Sequence, residues 1–406
     1  MRAISRIPAL IASDAVAPGA GWSVDPYGAE IRDGVAKVCA AFPGEYWRKC
    51  DTEKLYPEEF VSALTHEGYL AAMIPEAFGG SGLKLTAASV ILEEIHRRGC
   101  NAAACHAQMY TMGTVLRHGN DAQKKMYLPR IADGSLRLQA FGVTEPTSGT
   151  DTLALKTTAT RDGDSYIIRG QKIWTSRAAQ SDLMLLLART TPRDKVEKKT
   201  DGLSVFLIDL KSLVGQGVTI RPIRAMINHN STEVFFDDVR IPANTLVGEE
   251  GKGFSYILHG LNPERILIAA EAIGLGQVAL ARGALYAKER IVFERPIGQN
   301  QGIQHPLAKS WMELEAANLM VFKAACLYDN QESCAAEANA AKYLAAEACF
   351  HAWENAILTH GGMGYAKEYH VERYFRESLI PRIAPVSREL ILSFIAEKVL
   401  GLPKSY

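Results

Sequence analysis

The chain has 406 residues, 48% of them hydrophobic and 22% charged, with 45 basic and 45 acidic side chains. That length allows two or three domains and a large core without disulfides. The balanced charge, with no long run of one sign, argues against nucleic-acid binding and against a DNA-associated structural role. Seven cysteines are scattered without CxxC pairs or metal-ligand spacing, which predicts reduced, mostly buried thiols in a cytoplasmic protein with no metal.

In chain order, residues 1–17 carry Arg2 and Arg6 before a short apolar stretch that Pro8 and Asp14 interrupt, so a signal peptide is not expected. Residues 1–28 are read as an arm rich in Gly, Pro and Ala. From Tyr27 to about Arg137 the spacing is helical: Ile31, Val35, Val38 and Phe42 recur near every 3.6 residues, with similar stripes over 60–70 and 87–95. This predicts a helical domain over 29–138. Residues 153–241 shift to Thr, Val, Ile and Phe, broken by Asp162-Gly163 and by the polar stretch 190–201. A β-domain over 139–245 follows, with a hairpin at Asp162-Gly163 and buried strands at 183–187 and 204–208. After Pro242 Ala-rich helical stretches such as 271–289 and 309–328 predict a helical bundle over 246–406. No later apolar run is read as approaching the roughly 20 residues of a membrane helix, so a soluble chain without a membrane span is expected.

The segment Phe141-Gly142-Val143-Thr144-Glu145-Pro146-Thr147-Ser148-Gly149-Thr150-Asp151 resembles the signature by which acyl-CoA dehydrogenases hold their flavin. It is followed in order by Gly170-Gln171-Lys172-Ile173-Trp174-Thr175-Ser176, by the run 235–242 and by the run 248–254. Further likeness runs through Glu289-Arg290 with Phe293, Gln301 to Gln304, Gly361-Gly362-Met363-Gly364-Tyr365 and Val371-Glu372-Arg373. The resemblance thus covers nearly the whole chain beyond residue 50. It implies an α+β fold of N-terminal helical domain, middle β-barrel domain and C-terminal four-helix bundle. It also implies FAD as cofactor, an acyl-CoA substrate and an electron-transferring flavoprotein as acceptor.

By chemistry alone, Val143-Thr144 at a strand end offers groups for a flat heteroaromatic ring or simply makes a turn. Trp174 covers a flavin face or fills a core, and Ser176 bonds the ring's polar edge. The resemblance assigns Phe141, Val143, Thr144, Trp174, Thr175, Ser176 and Ser387 to the flavin. Arg290, Phe293 and Gln301 take the pyrophosphate and adenosine side, which suits a guanidinium and an amide. It also implies that Gly361-Gly362 reaches the FAD of a neighbouring subunit, in a homotetramer arranged as a dimer of dimers. Thr150, Asn262 and Arg265 are assigned to substrate binding.

The reaction needs a carboxylate to remove the α-proton. Most family members carry it near the C-terminus, but here Ala384-Pro385-Val386-Ser387 occupies that place, and proline is no base. A minority, the isovaleryl- and long-chain-type enzymes, carry it on a helix directly before an arginine. Leu261-Asn262-Pro263-Glu264-Arg265 is similar, so Glu264 is the expected base of a fatty-acyl-CoA dehydrogenase in β-oxidation, with a medium or branched acyl group favoured. Outside the resemblance Glu264 is equally a first-turn carboxylate or the ion-pair partner of Arg265. Asn262 and Pro263 read as an N-cap and first helical residue, or as a kink between two helical runs. Pro385 also lacks the N–H that the family aims at the thioester carbonyl, so the segment is shifted or another donor substitutes. Other departures are Arg177 for a frequent Asn, Glu294 for a Gly, and Leu358-Thr359-His360 before the glycines. The altered 384–387 segment keeps a flavin-dependent monooxygenase on the same scaffold as the alternative.

Overall fold

The computed structural model describes residues 28–405. Apart from Gly28, the arm expected over 1–28 lies outside the described residues. Two compact units emerge, each built from separated stretches of chain: residues 28–53, 84–102 and 262–405 in one, and 54–83 and 103–261 in the other.

The first unit is helical. It contains α1 (Gly28–Ala40), α2 (Gly44–Glu53) and, after the excursion into the other unit, α4 (Leu85–Arg97). Helix α3 (Glu58–His66) belongs to the second unit. The free N–H groups that open α4 are met by Asp329, whose carboxylate accepts from Leu85 N at 2.9 Å and Thr86 N at 3.0 Å, the acceptor that a helix N-terminus requires. Arg32 of α1 reaches Glu93 at 3.0 Å and Glu94 at 3.1 Å on the buried face of α4.

The remainder of this unit includes the later part of α7 (Gly253–Glu289), then α8 (Gln301–Asp329), α9 (Ala335–His360), α10 (Val371–Glu377) and α11 (Arg388–Phe394), besides shorter turns. Ile266, Leu267, Ile273 and Val278 of α7 are buried, each contributing roughly 1.5–3 kcal/mol. At Gly274 a Cβ would fall 2.0 Å from the Glu93 carbonyl, so α7 and α4 touch backbone to backbone. Helix α7 corrects the reading of apolar runs: an 18-residue window of it is apolar enough to cross a membrane, yet 89% of that window is buried in the fold, as in a core helix. The seven cysteines are free thiols, six of them buried.

The second unit packs α3, α5 (Ala103–His118), α6 (Asp121–Ala132) and the first turns of α7 with an eight-stranded sheet. Helix α6 opens with a capping box: Asn120 Oδ1 accepts from Gln123 N at 2.9 Å and Gln123 Oε1 from Asn120 N at 3.1 Å. The strands are β1 (Leu138–Gly142), β2 (Thr158–Asp162), β3 (Ser165–Ser176), β4 (Leu183–Arg189), β5 (Leu203–Asp209), β6 (Val218–Pro222), β7 (Ser231–Pro242) and β8 (Leu246–Val247). Their order is β6-β7-β3-β2-β4-β5-β8, with β1 parallel to β4. The expected hairpin joins β2 and β3, with Asp162 opposite Ser165.

Strand β4 shows no polar alternation because both of its faces are covered. Leu183, Leu185 and Leu187 enter one core with Val115 and Leu128, while Met184, Leu186 and Ala188 enter another with Tyr166 and Phe206.

Candidate active site

In the second unit the site grows from the ends of β1 and β3. Along β3, Lys172 opposes Val234 and Thr175 opposes Thr232, three steps on one strand against two on its partner. This is a β-bulge, which re-aims side chains. Trp174 in the bulge has φ +60° and is 56% exposed, so the buried-core reading of its indole is wrong. Ile173 N donates to Thr144 O at 2.9 Å, tying the bulge to the end of β1. Half-buried Thr144 is therefore tied to the residue before the exposed indole, while half-buried Phe141 and Val143 pack on the core behind it. Among the described residues neither the Thr144 hydroxyl nor the Trp174 N–H is bonded. The Thr175 hydroxyl is buried without a partner among the described residues, and Ser176 Oγ lies 3.3 Å from Ser231 Oγ. An exposed indole with unused donors at one sheet end suits a flat ring with a polar edge. Phe141 meets Tyr110 edge to face at 5.7 Å.

Behind this edge lies a pair that the sequence reading passed over. The wholly buried Lys172 ammonium donates to Val143 O at 3.0 Å and to Glu145 Oε1 at 2.9 Å. Glu145 also accepts from Lys156 N at 2.6 Å and Thr157 N at 2.9 Å. Burial pushes the Lys172 ammonium down to about 8 against the pull of Glu145. Burial raises the Glu145 carboxyl, but Lys172 and the two amides outweigh it, leaving it below the usual range. The signal was a lysine and a glutamate inside strand-forming motifs, where burial demands a partner. Arg177 has φ +58°, a left-handed position that Asn tolerates better, so this departure carries a backbone cost. Thr150 is exposed in the loop beyond β1.

In the first unit, Asn262, Glu264 and Arg265 lie together on α7. The expected helix start is corrected, since α7 runs unbroken through Pro263, and Glu264 sits roughly three turns past its opening. An N-terminal dipole therefore does not act on Glu264. Arg265 Nη1 donates to Asn262 Oδ1 at 3.0 Å, while its buried Nε has no partner among the described residues. Burial lowers the Arg265 pKa, opposed by the charge of Glu264. Glu264 is half-buried.

Ser387 caps α11, its hydroxyl accepting from Leu390 N at 3.3 Å. Arg290 and Gln301 are exposed, on either side of the hairpin β9 (Ile291–Val292) and β10 (Arg295–Pro296). Phe293 and Glu294 form its two-residue loop with φ +49° and +63°, the left-handed pair of a type I′ turn. Phe293 is 94% exposed. Gly361, at φ +58°, and Gly362 follow α9, and a Cβ on either would meet nothing within 4 Å. His360 is a satisfied helix-end histidine: Nδ1 bonds Ala356 O at 2.7 Å and the ring stacks on Tyr286 at 4.3 Å.

The sequence models of the acyl-CoA dehydrogenase N-terminal, middle and C-terminal domains match residues 28–135, 140–239 and 251–400. The chain belongs to the acyl-CoA dehydrogenase family. Acyl-CoA dehydrogenase FadE12 of Mycobacterium tuberculosis is 39% identical over 388 residues, covering 93% of this chain and 98% of its own. Glutaryl-CoA dehydrogenase of Desulfococcus multivorans is 33% identical, covering 93% and 96%. Among solved structures, a glutaryl-coenzyme A dehydrogenase complex superposes with TM-score 0.87 at 29% identity, covering 95% of this chain and 98% of its own. Butyryl-CoA dehydrogenase from Megasphaera elsdenii gives 0.84 at 29%, covering 94% and 100%. As an acyl-CoA dehydrogenase the protein is an FAD-dependent oxidoreductase, and the edge at Val143, Thr144 and Trp174 suits that cofactor's ring.

Proposed function

We propose that this acyl-CoA dehydrogenase oxidises a fatty-acyl-CoA to its trans-2-enoyl thioester, with Glu264 removing the α-proton. The observation that carries the reading is the Asn262–Arg265 cluster: Glu264 is its one carboxylate, and Ala384–Ser387 contains none. When bound, FAD supplies the acceptor of the β-hydride. Phe141, Val143, Thr144, Trp174, Thr175, Ser176 and Ser387 hold its ring, and Arg290, Phe293, Gln301, Gly361 and Gly362 its remaining length. Thr150, Asn262 and Arg265 bind the substrate. Arg265, bonded to Asn262 beside Glu264, holds that turn of α7 in place.

A cytoplasmic dimer of dimers passing electrons to an electron-transferring flavoprotein completes the reading. The exposure of Phe293, Leu358 and Tyr365 supports cover by a second copy. The test is an anaerobic absorbance titration with short, medium, long, branched, cyclic and dicarboxylic acyl-CoAs, beside Glu264→Gln. Bleaching by one class, lost in the variant although ligand still binds, is expected. A wild type that no acyl-CoA bleaches sinks the proposal and favours oxygen-dependent flavin chemistry. Bleaching that survives the substitution removes Glu264 as base.

A further inference from the structure

Lys342 of α9 is about 1% exposed. Its ammonium donates to the Val386 carbonyl at 2.7 Å, and among the described residues no carboxylate forms an ion pair with it. The charged groups facing it are Arg265 from α7, Glu347 from α9 itself, and Arg388 and Glu389 from α11. Glu347 is already engaged by Arg382 at 2.9 and 3.1 Å and by Arg388 at 3.4 Å. An enclosed lysine without a counter-ion is rare and unfavourable, so its placement calls for a use. The carbonyl it holds immediately precedes Ser387, the cap of α11, and follows Pro385, which can donate no N–H.

We propose that Lys342 is a positioning residue for the dehydrogenation, its charged ammonium pinning the Val386 carbonyl and so fixing Ser387, the residue of the Ala384–Ser387 segment that the proposed function sets against the flavin ring. This rests on the proposed function. A charge-assisted hydrogen bond is about twice as strong as a neutral one, so the pin weakens when the ammonium discharges. Burial and then the charge of Arg265 push that ammonium down to about 8, within reach of an ordinary pH profile. Arginine at this position stays charged throughout that range.

The experiment uses the FAD-loaded full chain as wild type, Lys342→Met and Lys342→Arg. Flavin reduction by the best acyl-CoA is followed under anaerobic stopped flow between about pH 6.5 and 9.5, and exchange of the Leu390 amide is read by hydrogen exchange, corrected for intrinsic rate. The wild-type reduction rate should fall through about pH 8. Lys342→Met should be slower by on the order of 10- to 100-fold below that pH, lose the inflection and exchange Leu390 faster. Lys342→Arg should recover rate without the inflection. A methionine variant with wild-type rate and profile overturns the proposal, as does an arginine variant no better than methionine. If the methionine variant does not fold, wild-type exchange at Leu390 decides: acceleration across pH 8 supports the pin and a flat profile overturns it. If no acyl-CoA reduces the wild type, the dehydrogenation reading and this role in it both fail, whereas faster exchange in Lys342→Met would still separate that failure from absence of the pin.

Discussion

The strand edge around Val143, Thr144 and Trp174 and the helical cluster around Glu264 and Val386 are built on opposite plans. At the strand edge the shape comes from main chain: a bulge, an interstrand bond from Ile173 to Thr144, and a buried Lys172–Glu145 pair that gathers three backbone groups, the Val143 carbonyl and the Lys156 and Thr157 amides. In the helical cluster it comes from side chains placed along a continuous helix, with one lysine holding one carbonyl. A surface meant to receive a rigid ring profits from fixed backbone, whereas a group that moves a proton must sit on a side chain with room to reach.

The largest expected effect separates the two. Glu264→Gln should slow flavin reduction about 10²- to 10⁴-fold and leave FAD content unchanged, since it alters none of the proposed ring contacts; loss of FAD would show that Glu264 also serves the cofactor. Lys172→Met tests the first region. It strands the Glu145 carboxylate in the interior, a change that typically destabilises by about 3–5 kcal/mol. Thermal melting should show that loss together with lower FAD retention, and adding Glu145→Gln should recover part of it. A melting curve like the wild type's would mean that the pair shapes nothing.

A smaller effect concerns the rim of the second unit, where His118 Nε2 lies 3.2 Å from His259 Nδ1 and His118 stacks on Tyr256. Burial, then His259, lowers the His118 pKa to about 4. With the folded value depressed, neutral His118 contributes stability that is present above about pH 6.5 and lost as pH falls towards 4. His118→Gln should flatten melting temperature against pH in that window, and an unchanged slope would refute the assignment. The smallest effect is Glu294→Gly in the hairpin loop. Relief of the left-handed conformation should stabilise by up to about 1 kcal/mol, partly offset by the flexibility of glycine. A drop in melting temperature would show that the Glu294 side chain is needed there.

The succession of helices, strands and helices was legible because each period is written in the residues: 3.6 in Ile31, Val35 and Val38, and a solid apolar run where β4 is covered on both faces. Asn262 and Pro263 left a helix start and a join between two helical runs both open, because proline near a capping residue usually opens a helix; the start fails, since α7 runs on through the proline. Trp174 could not be placed, since a bulge depends on the register of two strands far apart in sequence. Lys172 and Lys342 were overlooked for the same reason, as the partner of a buried charge lies on another element.

Strand β4 also bears on how the chain is made. A seven-residue apolar segment with no polar face is prone to pair with copies of itself while uncovered. Helices α5 and α6, whose Val115 and Leu128 cover one of its sides, precede it in the chain and leave the ribosome first. The other side has Tyr166 of β3 already made but waits for Phe206 and Val234, which emerge later. The interval between the synthesis of β4 and that of β7 is therefore when the nascent protein is most exposed to aggregation, and slower growth or a chaperone acting in that interval should raise the soluble yield.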